Sequence, residues 1–320
     1  MMKQAIHDIP KQFAYQPEII NADRLPVRKK FLLCGMGGSH LAGNILQTIK
    51  PEIDLIIHHD YNLPTIDLAD RLVIISSYSG NTEETIDSLH QAITLHLAVV
   101  VISTGGKLLE LAKTNQLAYV QLPDTGIQPR SAIGFSLLAV FKVMGEAALL
   151  EQASRLAISL QSDHWEQLGK DLAGKFEKQI PIIYASTRNF SLAYNWKIKL
   201  NETGKIPAFC NTLPELNHNE MNGFDVKKSI KSLTEPLQFI FLIDPADHIR
   251  VLKRMSILAQ QYRSRGLAVT ELELTGSNIL EKIFNSLLLA DWFAFYTAEM
   301  YGLESEAVPM VEEFKALMAE

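Results

Sequence analysis

One pattern constrains this chain more than any other: from Phe31 onward a short apolar run, a turn and an amphipathic stretch of helical period recur in that order. FLLCGM (31–36) precedes a helix near 39–49, DLIIHH (54–59) is a second strand, and RLVIISS (71–77) precedes a helix near 82–96. LAVVVIS (97–103) precedes a short helix near 106–114, AYVQL (118–122) reads as a fifth strand, and SAIGFSLLAVFKVMGEAALL (131–150) as one long buried helix. The composition turns polar and helical between 151 and 179, and then the pattern restarts. IPIIYAS (180–186), FIFLID (239–244) and AVTELEL (268–274) read as strands, with helices over 190–204, 248–266 and 278–301. Strands that alternate with crossover helices predict mainly parallel sheets covered on both faces. The expected organisation is an α/β chain of two sequential halves, 1–152 and 153–320, with a helical arm broken by Pro10, Pro17 and Pro26 ahead of the first.

Composition narrows what such a chain does. At 320 residues with 47% hydrophobic side chains there is enough apolar material for two medium cores. The formal charge is -6, from 30 basic and 36 acidic residues, and no Lys/Arg run offers a track for a phosphate backbone, so nucleic acid is not an expected partner. No leader-like segment stands at the start and no apolar stretch reaches about 18 residues, which predicts no membrane partner and a cytoplasmic protein. Cys34 and Cys210 match no metal or redox spacing and read as core residues of a reducing compartment. His58 and His59 are adjacent on a strand and face opposite ways, which is poor metal geometry.

The turns carry the chemistry. In a parallel sheet the turns after the strands gather at one edge, where helix N-termini present unpaired N–H groups. SSYSGNTEET (76–85) is such a turn: Ser77, Ser79 and Thr82 add donors and Gly80 permits close backbone approach, so a phosphate monoester is the natural ligand. Thr82 with Glu83 and Glu84 also makes a good helix start whatever the function. GMGGSHLAG (35–43) repeats the arrangement with Gly38 and Ser39. It is not a dinucleotide fingerprint, because His40 stands where the third glycine belongs, and no Gly-Lys-Ser/Thr triplet makes a P-loop. Two Ser/Gly-rich turns remain, a cradle for one small phosphate group.

GMGGSHLAG, SYSGNTEET and PRSAIG (129–134) resemble the sugar isomerase (SIS) fold. With NWKIKLNETGKIPA (195–208) and PELNHNE (214–220), the chain from about residue 31 onward resembles the bifunctional phosphoglucose/phosphomannose isomerase family. The resemblance implies two SIS-type, flavodoxin-like α/β/α subdomains with helical N- and C-terminal arms. It implies interconversion of glucose 6-phosphate and fructose 6-phosphate, and of mannose 6-phosphate, without metal or cofactor, in a homodimer. Such chemistry moves a proton between adjacent carbons through an enediolate, and needs a base, a cation beside the oxyanion and a group that opens the sugar ring.

By this resemblance Glu202, at a helix end just before Gly204, is the base and Arg130 the cation that stabilises the enediolate. His218 opens the ring, since histidine is the residue type whose charge ordinarily changes near neutrality, and is supplied to the site of the partner subunit. Lys315 assists ring opening. Alternative roles stay open for the residues taken singly: a solvated helix-end glutamate, an arginine paired at a helix start, an exposed terminal lysine. Trp196 and Trp292, in amphipathic helices, read as core. Family members tend to show a Thr-Pro pair near the C-terminus where this chain has Val308-Pro309, which bears on mannose 6-phosphate. A sensor that binds sugar phosphates without changing them, or an isomerase of another phosphorylated sugar, are the alternative functions.

Overall fold

A computed structural model describes residues 1–318, which form two compact units: His7–Gln161, and Met1–Ile6 together with 162–318. The N-terminal unit is built on a five-stranded, wholly parallel sheet of β1 (Lys30–Cys34), β2 (Asp54–His58), β3 (Arg71–Ser76), β4 (Val99–Ser103) and β5 (Ala118–Gln121). The strand order is β2-β1-β3-β4-β5. Leu32 lies between Ile56 and Val73 in register. Leu32, Val73 and Val101 thus enter one apolar layer with Leu89 and Leu108 from the helices Glu83–Thr94 and Gly106–Thr114. Alternation sends Leu33, Ile74 and Val100, all fully buried, to the other face. Cys34 belongs to this core, and burial pushes its thiol up to about 12.

The single helix expected over 131–150 is two, Ile133–Val143 and Ala147–Ser154. Gly145 adopts φ +74 between them, the left-handed conformation that ends helices. An apolar pattern on both sides hides such a break. The break also bears on the domain limit: residues 153–161 do not open the second unit, since Ala153, Leu156 and Leu160 are buried and the helix Leu156–Ser159 packs on Ile9–Gln12 of the N-terminal arm.

The C-terminal unit has a four-stranded parallel sheet in the order β7-β6-β8-β9: β6 (Ile180–Ser186), β7 (Phe209–Leu213), β8 (Leu237–Ile243) and β9 (Ala268–Glu273). Strand β7 was not expected. Its sequence FCNTL is short and half polar, because it lies on the sheet edge with Cys210, Asn211 and Thr212 only half-buried. Trp196 and Trp292 are both fully buried in helices Phe190–Glu202 and Ile279–Met300, as core residues. Those helices are joined by an ion pair sealed from solvent, Lys199 Nζ to Asp291 Oδ1 at 2.6 Å. No helix among the described residues is long and apolar enough to cross a membrane.

Candidate active site

A parallel sheet whose order reverses after its first strand leaves a crevice at that switch point, where the loops leaving the strand ends diverge. In the N-terminal unit the switch lies between β1 and β3, and the two glycine- and serine-rich turns are the loops that leave them. They are welded together. Ser39 Oγ, buried at the start of helix Gly38–Ile49, accepts the Tyr78 N–H at 2.9 Å. A Cβ on Gly35 would stand 3.0 Å from the Ser76 carbonyl oxygen.

A third segment closes on the same place. A Cβ on Gly38 would stand 2.9 Å from the Pro129 carbonyl, so only glycine lets the 3-10 turn Pro129–Ser131 approach. That turn carries Arg130, which is 2% exposed and reaches Gln128 Oε1 at 3.5 Å. It is held from behind by Gln12, whose Nε2 donates to the Ser131 carbonyl at 2.6 Å and whose Oε1 accepts the Gly134 N–H at 3.0 Å. Sequence reasoning missed Gln12. A lone glutamine in a proline-broken arm carries no periodic or motif signal, and its partners are more than a hundred residues away.

The hydroxyls of 76–85 are pre-arranged. Ser77 Oγ and Thr82 Oγ1 share a hydrogen bond at 2.8 Å, and Ser77 Oγ accepts the Gly80 N–H at 3.2 Å. Ser79, exposed, accepts the Asn81 N–H at 3.3 Å, so its own O–H proton is left to point outward. Thr82 stands at the N-cap of helix Glu83–Thr94 but makes no side-chain cap bond, because its hydroxyl is turned to Ser77. Glu83 and Glu84 already complement the dipole there. What the turn offers an anion is therefore hydrogen bonding from hydroxyls and N–H groups. Gly80 has a different task from the one expected. Its φ is +73, and a Cβ would fall 1.9 Å from the Gly105 carbonyl oxygen, so glycine is needed to seat the turn against the loop after β4.

His40 lies beside this turn, 5% exposed, with its Nδ1–H donated to Asn44 Oδ1 at 2.6 Å and its ring stacked on His59. Burial holds its pKa below the usual imidazole value.

The other candidates lie in the C-terminal unit. Glu202 is the last residue of helix Phe190–Glu202 and is half-buried. The Lys205 ammonium donates to the Glu202 carbonyl at 2.6 Å and also to the carbonyl of Ala307. One side chain thus ties the helix end that carries Glu202 to the segment just ahead of Val308-Pro309. His218 ends the 3-10 turn Glu215–His218 and is exposed, while its neighbour Leu216 is fully buried. Lys315 lies on the exposed helix Pro309–Met318, its Nζ 2.8 Å from Glu312 Oε1. The geometry brings Gly38, Ser39, Ser77, Ser79, Thr82 and the Arg130 turn together in one unit. In the other it links Glu202 to the Val308 segment, and leaves His218 and Lys315 at the surface.

Comparison with known proteins bears on the whole chain. Residues 166–318 match the family described as "Bacterial phospho-glucose isomerase C-terminal SIS domain". The chain is 32% identical to a bifunctional phosphoglucose/phosphomannose isomerase of Caldicellulosiruptor bescii, over 100% of this chain and 99% of that protein. It is also 32% identical to a protein of the same name from Aquifex aeolicus, over 94% of this chain and 93% of the other. Among solved structures, glucosamine-6-phosphate deaminase from Thermotoga maritima has a similar fold, with a TM-score of 0.70 at 15% identity over 95% of this chain and 96% of that one.

Proposed function

The chain belongs to the bifunctional phosphoglucose/phosphomannose isomerase family, and on that premise we propose that it interconverts glucose 6-phosphate and fructose 6-phosphate, and acts on mannose 6-phosphate, by metal-free proton transfer through an enediolate. The observation that carries this reading is the meeting of three loops at the β1/β3 switch point, where hydroxyls and N–H groups are fixed in place with no side-chain cap on the helix behind them. A phosphate monoester satisfies those donors. Gly38, Ser39, Ser77, Ser79 and Thr82 hold it, and binding it remotely fixes the reacting carbons, a positioning effect that contributes several kcal/mol to barrier lowering.

The chemistry is then a balanced proton shift. His218 and Lys315 open the ring to the free aldehyde. Glu202 takes the proton from C2, and the electron pair of that C–H bond forms the C1–C2 double bond while negative charge gathers on O1. Arg130 stabilises that charge; the O2 hydroxyl proton then passes to O1, and as the O2 electrons form the C2=O2 carbonyl the C1–C2 double bond takes the proton back at C1, which gives the ketose. The reaction needs no redox partner, and no cofactor enters this reading. His218, exposed on its own unit, suits a group that serves a second copy of the chain, so the working form is a homodimer in the cytoplasm. The C-terminal half supplies Glu202 and His218, and the N-terminal half supplies the phosphate turns.

A coupled assay for fructose 6-phosphate formation, run on metal-stripped protein with glucose 6-phosphate and then mannose 6-phosphate, tests the reading. Turnover of both is expected. No turnover of either, with ligand-induced stabilisation by sugar phosphates, makes the protein a sensor. Turnover of a different phosphorylated sugar alone moves the reading to that substrate.

A further inference from the structure

The segment that carries His218 is a run of 3-10 turns, Glu215–His218 and Glu220–Phe224, with no strand or long helix of its own to fix it. Apolar anchors press it onto the sheet: Leu216 is fully buried, and Met221 and Phe224 pack against the core of Tyr184, Phe239 and Tyr262. Within that apolar contact stands one carboxylate. Glu220 accepts a hydrogen bond from the Tyr184 hydroxyl on one oxygen and from the Asn211 side-chain amide on the other. Tyr184 on β6 and Asn211 on β7 are partners in register, so their side chains stand side by side on one face of the sheet. The carboxylate therefore bridges two adjacent strands, and it does so two residues from His218.

A carboxylate beside aromatic rings loses hydration, and an apolar side chain of similar size packs there at less cost. Packing alone does not explain it. Directional bonds to two fixed strands do what apolar contact does not, which is to set the rotation and register of a turn that has little regular structure. Tyr184 keeps its proton to donate, since burial first, with the neighbouring Tyr262 and Glu220, raises its pKa far above the usual phenol range.

We infer that Glu220 is a positioning residue for the reaction: clamped by Tyr184 and Asn211, it aims the turn from which His218 reaches the substrate. The inference rests on the ring-opening role proposed for His218. The test is a double-mutant cycle on the full-length enzyme with glucose 6-phosphate, comparing wild type, Glu220→Gln, His218→Ala and the double variant, with thermal melts as a check on folding. Glu220→Gln keeps the shape but turns an amide N–H₂ toward one of the two donors. It is expected to lower kcat by roughly tenfold to a hundredfold in the wild-type background, with KM little changed, and by less than about twofold where His218 is already alanine. Loss by the same factor in both backgrounds, or full activity of Glu220→Gln while His218→Ala is impaired, overturns the positioning role and leaves the His218 reading standing. Full activity of His218→Ala overturns the ring-opening reading and the inference with it. If Glu220→Gln does not fold, Tyr184→Phe, which keeps the buried ring and removes one donor, goes through the same cycle under the same criteria.

Discussion

The two sheets offer the same place to a ligand and fill it with opposite chemistry. In both units the order reverses after the first strand, between β1 and β3 in one and between β6 and β8 in the other. At the first switch point stand Ser39, Ser77, Ser79 and Thr82. At the second stand Asp244 and Asp247, fully buried and 8% exposed, roofed by Asn189 and by Ser186, whose hydroxyl donates to Asp247 at 2.9 Å. Lys282 adds an ion pair with Asp244 at 2.9 Å. Burial works to raise the Asp244 carboxyl, but the bonds from Lys282 and from the Ala246 N–H prevail and hold it below the usual range. Asp247 is pushed up, by burial first and then by the charge of Asp244, despite the Ser186 and Asn189 bonds and the charge of Arg188. Topology puts the two sets of side chains at corresponding sheet edges; one edge is lined by hydroxyls and the other by carboxylates. On the function proposed above, the hydroxyl edge holds the phosphate and the second unit carries the chemistry.

If that division holds, the largest effect comes from the C-terminal unit. Glu202→Gln, isosteric at a half-buried helix end, is expected to lower kcat by about 10³-fold, within the range for loss of a general base, with KM and thermal midpoint near wild type. Steady-state kinetics decide it, and a variant of near-normal turnover breaks the division at once. Next in size is a swap of character between the edges. Ser79→Asp puts a carboxylate at the proposed phosphate site and is expected to raise KM roughly a hundredfold through like-charge repulsion, while Asp247→Ser at the other edge leaves KM unchanged. An equal rise in KM from both would mean that the second edge also binds substrate. Smaller still is Val308→Thr. The Lys205 ammonium joins this segment to the end of the Glu202 helix, so a hydroxyl here is expected to raise the ratio of mannose 6-phosphate to glucose 6-phosphate turnover by about two- to fivefold, the modest size of a peripheral polar contact. Parallel assays on the two sugars read that ratio, and a change in both rates by one factor argues against a role in epimer choice.

The same contrast explains what was legible in the sequence. Strands buried on both faces announce themselves as unbroken apolar runs, so β1, β3, β4, β6 and β8 stand out, whereas β7 carries Asn211 and Thr212 on an edge and looks like loop. The hydroxyl turn is legible because its residues are adjacent in the chain. Gln12 and Glu220 are not, because each works through partners brought in by folding: Ser131 and Gly134 for one, Tyr184 and Asn211 for the other. Gly80 shows the limit from another side, since a glycine in a phosphate-like turn reads as room for ligand, and here the room is filled by Gly105. The acidic second edge gave no signal, as Asn189, Asp244 and Lys282 lie far apart in sequence.

The smallest effect expected concerns acid, and it pits the edges against each other. His40 beside the first edge has a folded pKa below its unfolded value because it is buried. The unfolded chain then takes up a proton that the native state refuses as pH falls below about 6.5, and native stability is lost with falling pH. Asp247 at the second edge has a raised folded pKa. There the native state holds the extra proton, so its contribution is fully present below the unfolded value near 3.9 and is lost as pH rises through the folded one. Urea midpoints of wild type, His40→Gln and Asp247→Asn, measured from pH 7.5 to 4, separate the two. His40→Gln is expected to gain on wild type as pH drops below about 6.5, and Asp247→Asn to lose ground on wild type as pH drops toward 4. If His40→Gln runs parallel to wild type throughout, the imidazole takes up its proton as easily folded as unfolded, and the first edge is wetter than its burial implies.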